Sequence, residues 1–430
     1  MIEPTPPALA RRDRRTLILA ALGGALEFYD FIIFVFFTAV IAKLFFPPDM
    51  PEWLRQLQTF AIFAAGYLAR PLGGIVMAHY GDRVGRKRMF MLSVLLMAVP
   101  TLLMGLLPTH ASIGIAAPVL LLLLRVLQGA AVGGEVPGAW VFVSEHVPES
   151  RIGFACGTLT SGLTFGILLG SLVASWINST WSSEEILAWA WRLPFILGGL
   201  FGLLAVWLRR YLEETPVFEE LRRRRELVKG LPLKIVLQGH WDAVIRSMLI
   251  TWMLTAGIVV VILMTPTLVQ SLFSIAPAVA AKASSLATLA LCIGCVFYGM
   301  AVDRFGFERV LILGALGLAL ATAGLYRTLA VAPEHFTVAY TITGFFVGVT
   351  GAIPSLMVRA FPPAIRFSGI SFAYNIAYAI SGGLTPLVIS LWIRGGESNA
   401  PVYYVAVASA AGALAAFLAL RRAAVPAMAK

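Results

Sequence analysis

Twelve apolar runs, each long enough to cross a bilayer at roughly 20 residues, order this chain as six, a polar stretch, then six. The first six are Leu17–Ile41, Phe60–Tyr80, Met89–Leu107, Ile113–Phe142, Phe154–Ile177 and Trp189–Leu208. The second six are Val244–Val269, Val279–Val302, Val310–Tyr326, Phe336–Met357, Phe367–Ile393 and Val402–Leu420. Only 13% of the 430 residues are charged and 59% are hydrophobic, where a soluble domain carries about 25% charge. Such a chain cannot dress a water-facing surface, so lipid is its main solvent. The expected fold is an all-α membrane bundle of twelve spans. The halves are 17–208 and 244–420, joined by a linker over 209–243, with tails at 1–16 and 421–430.

The halves rhyme. Gly81-Asp82-Arg83-Val84-Gly85-Arg86-Lys87-Arg88 and Val302-Asp303-Arg304-Phe305-Gly306-Phe307-Glu308-Arg309 each place Asp-Arg-x-Gly between two apolar runs and end on a basic residue. A charged turn recurring half a chain apart predicts a duplicated helix bundle, an architecture that usually carries solutes across membranes.

The formal net charge of +11 would suggest a nucleic-acid partner until the charges are placed. They fall in alternate loops, which is a topology signal. Arg11, Arg12, Arg14, Arg15, Arg83 to Arg88, Arg151, the linker, Arg304, Arg309, Arg359, Arg366, Arg421 and Arg422 share one side. The opposite loops hold only Lys43, Arg55, Lys282, Arg327 and Arg394. Both termini are therefore expected in the cytoplasm. The first run contains Glu27 and Asp30 and lacks a closing cleavage site, so it reads as an uncleaved span. The linker, with Arg222 to Arg225 and Glu213, Glu214, Glu219 and Glu220, reads as an amphipathic tether on the anionic inner leaflet. Cys156, Cys292 and Cys295 lie in apolar runs and read as packing thiols. No metal or cofactor site is expected.

Charges within spans need a partner or a task, because each costs roughly 2.5–3.5 kcal/mol at a helix centre. Glu27 and Asp30, three residues apart, share a helix face and lie roughly 15–20 Å from the inner end of span one. Arg125 in span four lies roughly 16 Å from the outer end, with Gln128 and Gly129 one turn on and then Glu135. Acids and arginine at matching depth are expected to pair across a cavity, either as a functional site or as a static buried ion pair. Arg70 before Pro71, and Arg192 at the start of span six, read either as ligand contacts or as helix-end caps. Gly153, Gly157, Gly162, Gly166 and Gly170, and likewise Gly344, Gly348 and Gly351, have the small-residue spacing of closely packed helices.

These residues resemble the major facilitator superfamily. Gly81 to Lys87 is similar to its signature loop, Arg125-Val126-Leu127-Gln128-Gly129 to its fourth-helix motif, and Leu212-Glu213-Glu214-Thr215-Pro216 to the signature after helix six. More narrowly, Leu26-Glu27-Phe28-Tyr29-Asp30-Phe31, Phe45-Phe46-Pro47, Ala69-Arg70-Pro71-Leu72-Gly73-Gly74, Gly133-Gly134-Glu135, Trp191-Arg192-Leu193-Pro194-Phe195, Tyr374-Asn375 and Gly382-Gly383-Leu384-Thr385-Pro386 resemble the metabolite:proton symporters. That family includes carriers of citrate, 2-oxoglutarate, shikimate, aromatic acids, and betaine or proline. Two features depart from its patterns. Phe307-Glu308 stands where two basic residues are usual, and the chain after Leu420 is shorter than the tail of osmosensing betaine carriers.

The resemblance implies a secondary transporter of the bacterial inner membrane, not an enzyme. It would take up a small organic anion with a proton by alternating access, acting as a monomer without cofactors. Arg125 would attract the carboxylate, with Tyr29, Gln128, Trp252, Tyr374, Asn375 and Arg192 as cavity contacts. Glu27, Asp30 or Glu135 would hold the proton, with Asp30 favoured for protonation and Glu27 for pairing with Arg125. Gly81, Asp82, Arg83, Gly85, Arg86, Asp303 and Arg304 would form the gating turns. Zwitterion uptake, metabolite export and a non-transporting receptor are the alternatives.

Overall fold

The computed structural model describes residues 11–228 and 230–424, with the side chains of Arg11, Arg12 and residues 421–424 outside that description. Twelve helices among the described residues are long and apolar enough to span a bilayer. In the first half they are α1 (Arg11–Phe36), α2 (Glu52–Val84), α3 (Arg86–Leu106), α4 (Ala116–Ser144), α5 (Ile152–Thr180) and α6 (Arg192–Arg209). In the second they are α7 (Trp241–Phe273), α8 (Pro277–Phe305), α9 (Phe307–Val331), α10 (Pro333–Ala360), α11 (Arg366–Arg394) and α12 (Ala400–Ala424). The six-plus-six order read from the sequence is the one observed. Helices are required here because lipid offers the backbone no hydrogen-bond partner. The prolines inside α2, α3, α4 and α11 are tolerated for the same reason that spans usually tolerate them: neighbouring helices supply partners.

The two rhyming turns are built alike. Gly85 ends α2 at φ +135° and Gly306 ends α8 at φ +85°, backbone that a residue with a β-carbon rarely adopts. Each lets the chain reverse at once into the next helix. The helices outrun their apolar runs at this end, so Asp82 and Asp303 lie within α2 and α8 rather than in loops. The same holds for Arg209. The apolar run ends at Leu208 and puts Arg209 in the linker, yet Arg209 is the last residue of α6 and is fully buried.

Glycines set the helix spacing. A methyl on Gly73, Gly129 or Gly133 would stand about 2 Å from a backbone carbonyl of the facing helix, so α2 and α4 touch main chain to main chain. Gly153 and Gly157 of α5 meet Gly299 and Cys295 of α8 in the same way, but across the two halves. Gly162 and Gly166 seat α5 on α1, and Gly344, Gly348 and Gly351 seat α10 on α8. The halves thus join along α2–α11 and α5–α8. The segment between them forms two short helices, Pro216–Arg223 and Pro232–Gly239.

Candidate functional site

Between the halves lies a narrow cavity. Phe28 of α1, Val136 and Trp140 of α4 and Thr160 of α5 line one side, and Ile258 of α7 and Tyr374 and Tyr378 of α11 close the other. Its walls are aromatic and aliphatic, with hydroxyls from Thr160, Thr164 and Thr350. Trp140 donates its indole N–H to Thr160 Oγ1 at 3.3 Å and packs edge-on against Tyr374.

Arg70 of α2 stands beside this wall. It is 2% exposed. Three tyrosines box its guanidinium: Tyr378 at 4.1 Å from the ring centre, Tyr374 at 5.4 Å and Tyr67 at 5.6 Å. Its Nε faces Asn375 Oδ1 at 3.4 Å, and Asn375 Nδ2 donates to the Gly133 carbonyl of α4 at 2.7 Å. Arg70 therefore touches both halves, and no acid pairs with it among the described residues. Its place before Pro71 fits either a helix cap or a ligand contact. Nothing in the linear order announced that α11 would bring two tyrosines to it.

Arg125 is placed differently from expectation. It is level with the acids of α1, as the depth count predicts, but it meets backbone there rather than carboxylate. Its Nη1 donates to the Phe31 carbonyl at 3.4 Å and to Gln128 Oε1. Gln128 in turn donates to the Asp30 carbonyl at 3.1 Å and to Thr101 at 2.7 Å. Phe31, Phe34 and Phe63 surround the guanidinium at 4.5, 4.5 and 5.1 Å. The expected Glu27–Arg125 pair does not form. Glu27 lies 2.7 Å from Nη2 of Arg209, and Glu135 lies 3.3 Å from the same nitrogen. The carboxyl of Asp30 points elsewhere on the helix, into space left by Gly198 and Gly202 of α6, where a methyl would come within 3.0 Å of its oxygens. Among the described residues neither of those oxygens has a hydrogen-bond partner.

Four expected contacts serve other ends. Tyr29 donates to the Pro194 carbonyl at 2.9 Å, tying α1 to α6. Gln128 is consumed by α1 and α3, as above. Trp252 donates to the hydroxyl of Tyr404 at 3.0 Å, within the second half. Arg192 donates to the Gly105 and Leu107 carbonyls, both at 2.9 Å, and so caps the end of α3. Of the proposed contacts only Tyr374 and Asn375 reach the boundary between the halves.

The gating turns lie at the end of the bundle that carries the linker. Asp82 accepts from the Ser368 amide of α11 at 2.9 Å, and Asp303 accepts from the Gly153 and Phe154 amides of α5 at 2.7 and 2.8 Å. Each aspartate thus holds the amino terminus of a helix in the opposite half, where free N–H groups and the helix dipole favour an anion. Gly81 makes this possible in the first turn, since a methyl there would strike the Phe367 ring at 2.3 Å. Arg86 lies 3.6 Å from Asp82 and 2.7 Å from Glu145, and donates to the Pro363 carbonyl at 2.7 Å. Arg366 of α11 reaches the other oxygen of Glu145 at 3.1 Å. Thr215, from the signature after α6, donates to Glu145 at 2.7 Å and caps the first linker helix. Glu145 and Arg366 were not anticipated; each reads in sequence as an ordinary loop charge.

Two gating assignments need correction. Among the described residues Arg83 meets His79 of its own helix and Arg304 lies over the ring of its neighbour Phe305, and neither joins the halves there. In the second turn Phe307 stands where the first has Arg86, and the guanidinium of Arg359 lies over its ring at 5.5 Å.

Known proteins resemble this chain in sequence and in fold. The family model described as Major Facilitator Superfamily matches residues 20–386. The glycine betaine/proline/ectoine/pipecolic acid transporter OusA of Dickeya dadantii is 33% identical over 428 residues, covering 94% of this chain and 82% of that protein. The citrate-proton symporter of Klebsiella pneumoniae is 33% identical over 412 residues, covering 94% and 91%. In fold, the chain matches the proton:xylose symporter XylE with a TM-score of 0.79 at 18% identity, over 95% of each chain. It is a multi-pass integral protein of the plasma membrane and a transporter by kinship. The chain belongs to the major facilitator superfamily and, within it, to the metabolite:proton symporters.

Proposed function

We propose that this protein takes up a small carboxylate-bearing metabolite together with a proton, by alternating access, as a monomer with the linker end of the bundle in the cytoplasm. The observation that carries the substrate class is Arg70. A guanidinium buried without a counter-charge is costly, and an anionic substrate in the adjoining cavity supplies the missing charge. The sequence pointed to Arg125 for this task. Arg125 bonds within its own half and is enclosed by phenylalanines, whereas Arg70 touches both halves and packs on Tyr374 and Tyr378, which line the cavity. Glu27, Asp30 and Glu135 supply buried carboxyls for the coupling proton. The contacts of Asp82 and Asp303 across the halves suit a closed cytoplasmic gate that must break for release.

A second reading has one specific support. Phe28, Trp140, Tyr374 and Tyr378 face a cavity whose lining contains no acid. Such walls accept a quaternary ammonium, so a betaine would set its carboxylate on Arg70 and its cation among the rings. Relatives named for betaine and for citrate both match.

The test is uptake by proteoliposomes under an imposed pH gradient, alkaline inside, with labelled citrate, 2-oxoglutarate, L-proline and glycine betaine as probes. Arg70→Gln is expected to lose accumulation of whichever probe the wild type takes, and Arg70→Lys to retain part of it. Wild-type accumulation by Arg70→Gln overturns Arg70 as the receptor.

A further inference from the structure

The described residues place a closed group of three ionisable side chains just behind the cavity wall. Glu27 of α1, Glu135 of α4 and Arg209 of α6 are each no more than 1% exposed. Nη2 of Arg209 serves both acids, at 2.7 and 3.3 Å. Its Nη1 donates to the Phe90 carbonyl of α3 at 3.1 Å, and its plane lies on the Phe90 ring at 3.5 Å. The arginine is thus held on three sides and cannot follow one acid away from the other. Both carboxyls thus converge on one nitrogen of a single guanidinium. Among the described residues the second oxygen of each carboxyl has no hydrogen-bond partner.

We infer that Glu27, Glu135 and Arg209 form a single-proton site, and that this site carries the coupling proton. The inference rests on the symport reading given above. One guanidinium balances one carboxylate. The second carboxylate needs a proton or leaves a net negative charge buried away from water, which a protein interior disfavours. Loading therefore forms one O–H bond on one of the two acids and takes the group from net −1 to neutral; release breaks that bond, returns the proton to water and restores −1. The other nearby acid is Asp30 on the same helix, whose carboxyl faces Gly198 and Gly202 of α6 instead. No further charged side chain of α3, α4 or α6 pairs with the group.

The site is joined to the proposed receptor by short steps. Phe28 and Val136, the chain neighbours of Glu27 and Glu135, both line the cavity. Two residues before Glu135, the Gly133 carbonyl accepts from Asn375, which faces Arg70. A shift of α4 as the group loses its charge is felt at the amide that positions the anion receptor.

Infrared spectroscopy of the full-length protein in liposomes, reading the C=O stretch of protonated carboxyl groups at neutral pH, tests this without any substrate. Glu27→Gln and Glu135→Gln should each remove the signal of one carboxylic acid. The double variant should remove no more than either single, because only one proton is shared. Arg209→Gln should add signal, since both acids then need protons. Loss of two acids in the double variant, or no loss in either single, overturns the proposal. Should Arg209→Gln fail to insert, the two singles and the double decide. In parallel, with glycine betaine, L-proline and citrate as probes, Glu135→Gln should lose gradient-driven accumulation while keeping counterflow. A wild type that moves no probe under a pH gradient overturns the symport reading, whereas the infrared pattern judges the proton site by itself.

Discussion

Asp82 of α2 accepts the backbone amide of Ser368, the third residue of α11, at 2.9 Å. The residue at the matching place in the second half, Asp303, does the same for the start of α5. Two copies of one turn thus each close on the half that lacks it. Asp82→Asn keeps an acceptor for Ser368 but loses the charge that faces both the helix dipole and Arg86. Hydrogen bonds to charged groups contribute about 1.5–3 kcal/mol, so the closed gate should weaken by roughly ten- to a hundredfold. The expected outcome is slow net transport with normal insertion, and faster modification of a cysteine placed at Ser368. Unchanged labelling and wild-type uptake would remove Asp82 from the gate.

Glycine contacts within a half and between halves should behave differently. Gly73→Ala drives a methyl into the Ala130 carbonyl at 1.9 Å inside the first half. Overpacking of this kind costs about 1–3 kcal/mol or more, and with rigid backbone on both sides the upper end applies. Its melting temperature should fall and its expression drop. Gly299→Ala places a methyl 2.5 Å from the Gly153 carbonyl across the halves. There the halves can part, so the protein should stay folded but lose the closed state. Size-exclusion profiles and counterflow of a transported probe separate the two. Equal loss of fold in both variants would count against a mobile α5–α8 seam.

Much of this fold was legible because lipid allows few solutions. Twelve apolar runs, a repeated turn and alternating loop charge leave little besides a duplicated bundle, and the glycine spacing correctly announced close-packed helices. The site was legible only in part. Depth counting placed Arg125 level with the acids of α1, since rise per residue is fixed. It could not tell which way each side chain pointed, and a rotation of one residue turns Glu27 toward α6 and leaves Arg125 to the Phe31 carbonyl. Arg209 was hidden for another reason. A basic residue closing an apolar run resembles any boundary charge, and only the packing of α6 against α1 and α4 reveals it as buried. Arg70 gained its meaning from Tyr374 and Tyr378, some three hundred residues away in the chain, which no local pattern connects to it.

Arg192 tests one correction directly. It caps α3 through two carbonyls at 2.9 Å, so Arg192→Gln should cost stability and leave substrate handling intact. A loss of about 1.5–3 kcal/mol is expected from charge-assisted bonds, read as a lower melting temperature in detergent. The half-saturating concentration of the transported probe should hold. A large rise in that concentration without loss of stability would return Arg192 to the substrate site.

The orientation follows from loop charge and is open to a simple check. Cysteines introduced at Met50 and Ser183 should react with an impermeant reagent on intact cells, and one introduced at Arg224 should react only after the membrane is opened. Labelling at Arg224 from outside would invert the whole arrangement, gate included.

The aromatic wall decides between an organic anion and a zwitterion. Trp140 lines the cavity, is 1% exposed, and holds its ring by the bond to Thr160 and the edge contact with Tyr374. A desolvated cation on an indole face gains about 2 kcal/mol or more, close to thirtyfold in affinity at 1.4 kcal/mol per tenfold. A citrate-like substrate has no cation to place there and would bind through Arg70 alone. Trp140→Leu keeps the wall apolar while removing the π face. If the substrate is a betaine, this variant should lose at least tenfold in affinity for glycine betaine, with the transport rate at saturation less affected. If the substrate is a simple carboxylate, its affinity should change by less than about threefold, since it places no cation on the ring. Competition against a labelled probe, with citrate and glycine betaine titrated separately into wild type, Trp140→Leu and Arg70→Gln, reads both ends of the site at once. Loss of both competitors in Arg70→Gln with selective loss of glycine betaine in Trp140→Leu would assign the two poles of a zwitterion to the two residues. Loss in Arg70→Gln alone would leave the rings as packing around an anion site.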